Sequence, residues 1–167
     1  GEEEARLALL GVRAGLPDAP ARLAMMDIGG GSTEFLLAEG ETILAAVSTG
    51  LGVVKLTESC LAGDPPLRAE LEAVRQTAAE RLDCARKEEL RDIQSGDLFV
   101  GTAGTVTSLA AVDLALVPYD PARVTGHRMT RGRVAQLLHR LAALPLADRR
   151  RAPGLEPARA DVIVAGG

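Results

Sequence analysis

The chain of 167 residues is long enough for one domain with a substantial core, but aromatic residues make up only 2%, so alanine, leucine and valine must fill that core. Its net charge of −4 and its two cysteines give no reason to expect a nucleic-acid partner or a cysteine-rich metal site. No apolar run approaches the ~20 residues that span a bilayer, and the first residues do not resemble a signal peptide, so we expect a cytoplasmic protein without a membrane partner.

The first part of the chain predicts one helix followed by three strands. Apolar residues at helical spacing predict a short helix over residues 3–12, and a loop rich in Gly and Pro follows it. The apolar segment 22–28 and the segments "TEFLLAEG" and "TILAAVST" are then separated by glycine-containing turns. Three strands joined in this way predict an antiparallel meander.

The rest of the chain predicts helices that alternate with strands. "GLGVVKLTESCLAG" predicts a short helix, and Asp64-Pro65-Pro66 predicts the start of a longer one, because Pro is tolerated in the first turn and Asp can cap it. The further predicted elements are a strand at "DLFVG", a helix at "VTSLAAVDLAL", a loop over residues 118–128, an amphipathic helix over 130–144 and a last buried strand at "ADVIVAGG". This order predicts an α/β domain with helices packed on a mixed sheet, as in actin-like and ribonuclease-H-like domains.

The segment "DIGGGSTE" places consecutive glycines between two predicted strands. A phosphate loop of the Walker type would need a lysine after the glycines, and a dinucleotide fingerprint would need a spaced third glycine and a helix, so both interpretations fail. Gly29, Gly30 and Gly31 can take positive φ, which would let their N–H groups converge on an anion, and Ser32 and Thr33 can add hydroxyl donors. A plain turn between strands is the alternative.

Two acidic residues flank this loop. Asp27 ends the first predicted strand and Glu34 follows the glycines, where both carboxylates would repel a bare phosphate. They are compatible with a phosphate site if a divalent metal stands between them and the phosphate oxygens, or if one of them positions a water.

A second loop with similar composition follows the next predicted buried strand. In "GTAGTVTS" the chain enters a helix, where Gly104 and Thr105 would offer free N–H groups, a hydroxyl and the positive end of the helix dipole to an anion. An ordinary strand-to-helix turn with a Thr cap is the alternative. Two such loops after buried strands in one small domain favour phosphate binding over two plain turns.

Together with "DIGGGSTE", the segments "LGVVKLTE", "GTAGTVTSLAA", "YDPARVTGHRMT" and "RADVIVAGG" resemble the exopolyphosphatase/guanosine pentaphosphate phosphohydrolase (Ppx/GppA) family over nearly the whole chain. The resemblance implies an actin-like domain from proteins that carry two such domains, with the active site in the cleft between them. The family's first domain opens with an acidic phosphate loop that this sequence lacks. We therefore expect residues 1–167 to be the second domain alone, with the first domain as a partner and a homodimer as a further expected association.

The resemblance also implies roles for individual residues. The family's catalytic glutamate lies in an "EEAR" segment ahead of the glycine loop and matches Glu4, which would be the base that activates water. The family's metal and water ligands match Asp27 and Glu34, with Mg²⁺ or Mn²⁺ as the ion. Its phosphate cradle matches residues 29–33.

The activity implied by the resemblance is metal-dependent hydrolysis of a phosphoanhydride. The substrate would be inorganic polyphosphate or the 5′ end of guanosine pentaphosphate. The alternatives are a non-catalytic actin-like module that binds phosphate or nucleotide, and a sugar-kinase-like phosphotransferase, for which no purine-binding segment is evident near the second loop. Because one wall of the site would be missing, we expect residues 1–167 alone to fold but to hydrolyse polyphosphate negligibly.

Other conspicuous residues have simpler interpretations. His139 on an amphipathic helix and His127 in a loop are interpreted as a surface residue and an ordinary loop residue. Lys55 is the better basic candidate for the site, with a solvated helix lysine as the alternative. "ADRRRAPG" predicts a solvated loop or helix end, and its alternative is a guide for polyphosphate.

Overall fold

A computed structural model describes residues 2–94 and 96–167 and shows one sheet with helices around it. The elements in chain order are α1 (Glu2–Gly15), β1 (Arg22–Ile28), β2 (Thr33–Glu39), β3 (Thr42–Ser48), α2 (Val53–Cys60), α3 (Arg68–Glu88), β4 (Leu98–Thr102), α4 (Ala103–Asp113), α5 (Pro121–Val124), α6 (Arg131–Ala142), α7 (Leu146–Arg149), a 3₁₀ turn (Pro157–Arg159) and α8 (Ile163–Gly166). None of the helices in these ranges is both long and apolar enough to cross a bilayer.

The sheet has the strand order β3-β2-β1-β4. β1 pairs antiparallel with β2, β2 pairs antiparallel with β3, and β4 pairs parallel with β1. This confirms the predicted mixed sheet with an antiparallel meander. Because β1 and β4 run in the same direction, the loops that leave their carboxyl ends lie at the same edge of the sheet.

Helices cover both faces of the sheet. Successive side chains of a strand point to opposite faces, and both Phe35 and Leu36 of β2 are buried. Leu36 packs in a cluster with Leu9 of α1, whereas Phe35 packs with Ala85 near the end of α3. A third cluster joins α4, α6 and α8 and is built from leucine, valine, alanine and isoleucine, as the composition predicts.

The carboxyl-terminal segment differs from its prediction. "ADVIVAGG" was expected to be a buried strand, but residues 163–166 form α8, and Ile163 and Val164 are buried against the cluster of α4 and α6. A short continuous apolar run has no period that distinguishes a buried strand from a buried helix. The predicted loop over residues 118–128 also contains α5, where the Asp120 carboxylate accepts a hydrogen bond from the Ala122 N–H.

The start of α3 also differs from its prediction. The helix begins at Arg68, and the Glu70 carboxylate accepts hydrogen bonds from the N–H groups of Leu67, Ala62 and Gly63, which lowers the pKa of Glu70. Asp64, the predicted cap, instead accepts a hydrogen bond of 2.7 Å from the Leu146 N–H at the start of α7. The turn at Asp64 thus joins two regions that are distant in sequence.

The segment "ADRRRAPG" contains a buried cation that the sequence did not predict. The Arg149 side chain is only 3% exposed and donates hydrogen bonds to the carbonyl oxygens of Leu141, Leu144 and Ala160 at 2.9, 2.8 and 3.0 Å. We call this set of bonds the Arg149 clasp. It connects the end of α6 with the segment that precedes α8, so the prediction of a solvated loop holds only for its exposed residues.

Replacement of Arg149 by methionine should destabilise the fold by about 3 kcal/mol, because three buried carbonyl groups would lose their donor while the aliphatic stem is kept. The free energy of unfolding can be measured by urea denaturation. Arg140→Met on the exposed side of α6 is the matched control and should change stability by less than about 0.5 kcal/mol. Equal effects of the two substitutions would contradict a structural role for the Arg149 clasp.

Candidate functional site

The two glycine loops of the sequence meet at the carboxyl ends of β1 and β4. Between them lies an open cavity of about 540 Å³, here called the glycine pocket. Its lining comes from the β1 loop, the start of α4, the first turn of α2 and the segment before α8, and comprises Ile28, Gly29, Gly30, Val53, Val54, Ala103, Gly104, Thr105, Glu156, Ala158, Arg159, Asp161 and Val162. The parallel pairing of β1 and β4 is what brings these distant segments together.

Hydrogen bonds to α2 determine the orientation of the β1 loop. The N–H of Gly29 donates to the Ser32 carbonyl at 2.9 Å, and the N–H groups of Val53 and Val54 donate to the carbonyls of Gly29 and Gly30 at 3.1 and 3.0 Å. With its carbonyls engaged in this way, the loop keeps the N–H groups of Gly30, Gly31 and Ser32 without an acceptor within the described part of the chain. Unpaired amides of this kind are suited to an anion.

The β1 loop does not use the positive φ that the sequence suggested for its glycines, and a close approach of backbones occurs at Gly52 instead. None of Gly29, Gly30 and Gly31 has a positive φ. The tightest contact involves Gly52 in "LGVVKLTE", where a Cβ atom would lie 2.2 Å from the Gly30 carbonyl oxygen and 2.3 Å from the Gly31 carbonyl carbon. A Cβ on Gly31 would meet nothing within 4 Å. Gly52 therefore lets the first turn of α2 reach the loop.

Gly52→Ala should destabilise the fold by about 2 kcal/mol, because the added methyl group overlaps loop backbone that cannot move without breaking the bonds to α2. Gly31→Ala restricts the unfolded chain to the same extent but enters open space, so it should change stability by less than about 0.5 kcal/mol. Thermal and urea unfolding of both variants give the comparison. A Gly52→Ala protein as stable as the Gly31→Ala protein would contradict the close approach.

Two carboxylates face each other beside the pocket. Asp27 is the register partner of Glu34 across β1 and β2 and of Thr102 across β1 and β4. Burial raises the pKa of Asp27, a hydrogen bond with the Thr102 side chain counteracts part of this rise, and the negative charge of Glu34 adds to it. The predicted metal ligands are thus adjacent, and the fold holds them together against their repulsion.

The hydroxyl groups of Ser32 and Thr33, which were expected to donate to a phosphate, donate to other groups of the protein. The Oγ of Ser32 donates to Glu34, and the Oγ of Ser48 donates to the same carboxylate oxygen at 2.9 Å. Thr33 is buried and its Oγ1 donates to the Leu51 carbonyl at 2.8 Å, because it precedes Glu34 in β2 and so points to the other face of the sheet. Its hydroxyl is therefore engaged within the fold, and its predicted phosphate-binding role stays a prediction.

In the second glycine loop, Thr105 and Gly104 both line the glycine pocket but have structural contacts of their own. Thr105 lines the glycine pocket, but its side chain is buried and its Oγ1 donates to the Ile28 carbonyl at 3.3 Å, which fixes the start of α4 against the end of β1. Gly104 provides space for another side chain, because a Cβ atom there would lie 2.1 Å from the Cζ of Arg159.

Arg159 is a residue of the pocket that sequence reasoning missed. Within the part of the chain that the structure describes, it is the one basic side chain in the lining of the glycine pocket, and it forms an ion pair of 3.3 Å with Glu156. Its signal in the sequence was present, since it belongs to the segment "RADVIVAGG". The strand predicted at "ADVIVAGG" begins one residue after Arg159, and no site residue was predicted in this segment.

The carboxylate pair fits a magnesium ion that is shared with a ligand. Over residues 2–94 and 96–167 no group of three or more His, Cys, Asp or Glu side chains could hold a metal, so a closed protein cage is not formed. Mg²⁺ keeps several waters and is commonly bound by one or two carboxylates together with substrate phosphates. Asp27 and Glu34 provide hard oxygen donors of this type and number.

Three further residues lie outside the glycine pocket. Glu4 is exposed in the first part of α1, and its predicted catalytic role stays a prediction. Lys55 is exposed on α2 and does not line the pocket. His127 contacts Asp113 of α4 at 2.7 Å, and the same carboxylate binds Arg133 of α6, so Asp113 connects both the loop after α5 and helix α6 to α4.

Asp27→Asn should stabilise the protein near pH 7, because it removes a carboxylate that folding places beside Glu34. The pKa of Asp27 is raised in the folded state. At a pH above this raised pKa the ionised carboxylate lowers the free energy of unfolding, whereas below the ordinary pKa of aspartate the group is protonated in both states and has no such effect. The gain, less than about 1 kcal/mol for a partly screened group, should therefore shrink as the pH is lowered to about 4.

Denaturant unfolding at both pH values measures this difference. Asp18→Asn, at an exposed position, controls for the loss of one negative charge. A destabilised Asp27→Asn protein near pH 7 would show that the carboxylate is favourable in the fold.

The antiparallel meander, the parallel β4 and the two loops at the shared sheet edge define an actin-like domain. The sequence matches the Ppx/GppA phosphatase family over residues 1–167, and the chain belongs to that family.

Two curated relatives and a solved structure illustrate the similarity. The chain is 36% identical over 166 residues to exopolyphosphatase 2 of Mycobacterium tuberculosis, covering 99% of this chain and 51% of that protein. It is 33% identical over 169 residues to exopolyphosphatase 1 of Mycobacterium bovis, covering 99% and 48%. A crystal structure of the Ppx/GppA family member of Aquifex aeolicus has a TM-score of 0.87 and 32% identity, covering 99% and 52%. The chain spans about half the length of the curated relatives it matches.

Proposed function

We propose that this chain provides one wall of the active site of a metal-dependent phosphoanhydride hydrolase. The enzyme would release the terminal phosphate from inorganic polyphosphate or from the 5′ end of guanosine pentaphosphate. The observation that carries the proposal is that the glycine pocket, which contains the cation Arg159, lies at the sheet edge that also carries the unpaired amides of the β1 loop and the carboxylate pair of Asp27 and Glu34. The curated relatives named exopolyphosphatase support polyphosphate as the substrate to test first.

The phosphate would bind in the glycine pocket, between Arg159 and the amides of the β1 loop beside it. The N–H groups of Gly30, Gly31 and Ser32 have no acceptor within the described ranges, and the Arg159 guanidinium lies over Gly104 at the start of α4. These donors are held by the fold before substrate binds, so no reorganisation is needed when charge develops in the transition state. Preorganised donors of this kind are the main requirement of phosphoryl transfer.

The metal would be held by Asp27 and Glu34. A bound Mg²⁺ would neutralise charge on the phosphate oxygens. Ser32 and Ser48 would keep Glu34 in place through their hydrogen bonds to its carboxylate. The raised pKa of Asp27 follows from burial and a neighbouring negative charge, and a cation between the two carboxylates would relieve that repulsion.

Glu4 is the proposed base because of its match to the family's catalytic glutamate. It would take a proton from a water that attacks the terminal phosphorus; the anhydride P–O bond then breaks and the shortened chain leaves with the bridging oxygen. The opposing wall of the site would come from the first actin-like domain of such proteins. The length of the relatives, about twice that of this chain, supports this arrangement.

A non-catalytic binding module is the second candidate. The observation that favours it is the exposed position of Glu4, which does not line the glycine pocket. The amides and Arg159 would bind a phosphate equally well in such a module, so only turnover distinguishes the two proposals.

Phosphate release by the full-length natural protein is the deciding measurement. We expect release from polyphosphate or guanosine pentaphosphate with Mg²⁺ and none after chelation with EDTA. If neither substrate releases phosphate with Mg²⁺ or Mn²⁺ present, the binding module becomes the better description.

Glu4→Gln should lower kcat by about 10²–10⁴-fold in the full-length natural protein, because a general base contributes to the chemical step. KM should change little, since the phosphate donors are untouched. Glu3→Gln is the matched control: Glu3 lies one residue away, is exposed, and has an ion pair with Arg6 at 3.9 Å. Similar kcat values for the two variants would remove Glu4 from the mechanism.

A further inference from the structure

A row of polar side chains crosses the whole sheet beside the β1 loop. Ser48 of β3 is the register partner of Glu34 of β2. Glu34 is in turn the partner of Asp27 of β1, and Asp27 is the partner of Thr102 of β4. These residues therefore occupy neighbouring positions on all four strands of the sheet. We call them the polar row.

The polar row lies on the face of the sheet that α1 covers. Directly opposite residues on neighbouring strands share a face, and so do residues two positions apart on one strand. Leu36, two residues after Glu34, is buried against Leu9 of α1. Glu34 and Ser48 are exposed, so the row begins where the cover by α1 ends and is open to a ligand from solvent.

The order of groups in the row leaves the two carboxylates next to each other. Ser48 and Thr102 occupy its outer positions, and each forms a hydrogen bond with the neighbouring carboxylate, Ser48 with Glu34 and Thr102 with Asp27. The Thr102 hydroxyl also contacts the Met26 carbonyl at 3.4 Å, whereas the Ser48 hydroxyl has Glu34 as its one partner in the described part of the chain. Ser48 is therefore the hydroxyl dedicated to a carboxylate.

The two oxygen atoms of the Glu34 carboxylate have different surroundings. The hydroxyls of Ser32 and Ser48 both donate to Oε1, the latter at 2.9 Å, and Oε2 accepts no hydrogen bond from residues 2–94 or 96–167. Two donors on one oxygen fix the rotation of the carboxylate and leave its second oxygen for a ligand. Ser32 is a neighbour of Glu34 in sequence, but Ser48 reaches it from another strand.

Backbone contacts place the Ser48 hydroxyl before any ligand binds. Thr49, the next residue, donates to the Thr33 carbonyl from its N–H at 3.0 Å and from its Oγ1 at 2.9 Å. The Thr33 Oγ1 donates in return to the Leu51 carbonyl at 2.8 Å. The residues next to Ser48 and Glu34 are thus joined by three hydrogen bonds, which keep the hydroxyl beside the carboxylate.

We infer that Ser48 is a positioning residue of the metal site: its hydroxyl holds one oxygen of Glu34 so that the other is available to a cation shared with Asp27. This inference rests on the proposed function, because it takes Asp27 and Glu34 as metal ligands. Loss of a group that hydrogen-bonds a metal ligand commonly weakens metal binding by about 10–100-fold, and an exposed hydroxyl such as that of Ser48 should lie at the lower end.

The test measures Mn²⁺ binding to the full-length natural protein without substrate, from the EPR signal of the free ion. Ser48→Ala should raise the Kd for Mn²⁺ about tenfold, and Ser48→Thr, which keeps the hydroxyl, should change it by less than about threefold. In phosphate release, Ser48→Ala should raise the Mg²⁺ concentration for half-maximal rate by a similar factor. The value of kcat at saturating Mg²⁺ should change by less than about threefold, because the reacting groups are untouched.

A double-mutant cycle shows whether Ser48 acts through Glu34. In a Glu34→Gln background the further change Ser48→Ala should alter the Kd for Mn²⁺ by less than about twofold, since the carboxylate that it orients is absent. Thr42→Val is the matched control: Thr42 is exposed on the same strand, and its hydroxyl has no partner among the described residues. This variant should bind Mn²⁺ like the parent protein.

An unchanged Kd in Ser48→Ala, an equal loss in Thr42→Val, or the same loss with and without Glu34 would each overturn the inference and leave the proposed function intact. A parent protein that binds Mn²⁺ but releases no phosphate would count against the proposed function alone, because Ser48 is judged by metal binding. A parent protein that binds no Mn²⁺ would overturn the inference and the proposed metal site together.

Discussion

Two hydrogen bonds from the first turn of α2 to the carbonyls of Gly29 and Gly30 are the constraint on which the candidate site depends. They engage the carbonyl side of the β1 loop and so leave its amides for the pocket. They require Gly52, since any larger residue would overlap the loop backbone. The contact therefore depends on a glycine more than twenty positions after Gly31, outside the most conspicuous motif.

Two neighbouring carboxylates lower the stability of the sheet edge beside the β1 loop. Asp27 and Glu34 oppose each other across neighbouring strands, where like charges are destabilising, and burial adds to the cost for Asp27. Among the described ion pairs, none joins a lysine or arginine to Asp27 or Glu34; the basic residue of the glycine pocket, Arg159, pairs with Glu156 instead. Stability lost at a cleft in this way is typical of sites that bind a cation or a reacting group.

The sequence was sufficient for the sheet but not for the cations around it. The strands of the meander follow from apolar runs separated by glycine turns, and the two loops follow from their composition. Alternation along β2 could also have predicted that Thr33 and Glu34 point to opposite faces. The positions of Arg149 and Arg159 could not be predicted in this way, because both depend on tertiary contacts. Arg149 bonds the carbonyl of Leu141, and the Arg159 guanidinium packs against Gly104. The helix α8 was missed because its apolar run has no period.

The Arg149 clasp also has a mechanical meaning. The segment from α7 to α8 has little regular structure, and such segments usually open locally before the core does. Here one guanidinium bonds the chain both before and after this segment, at Leu141 and Ala160. The residues between Arg149 and Ala160 thus form a loop whose two ends are joined through one side chain. Local opening of this loop would break buried hydrogen bonds to Leu141 and Ala160, so the loop should open together with the end of α6 and not before it.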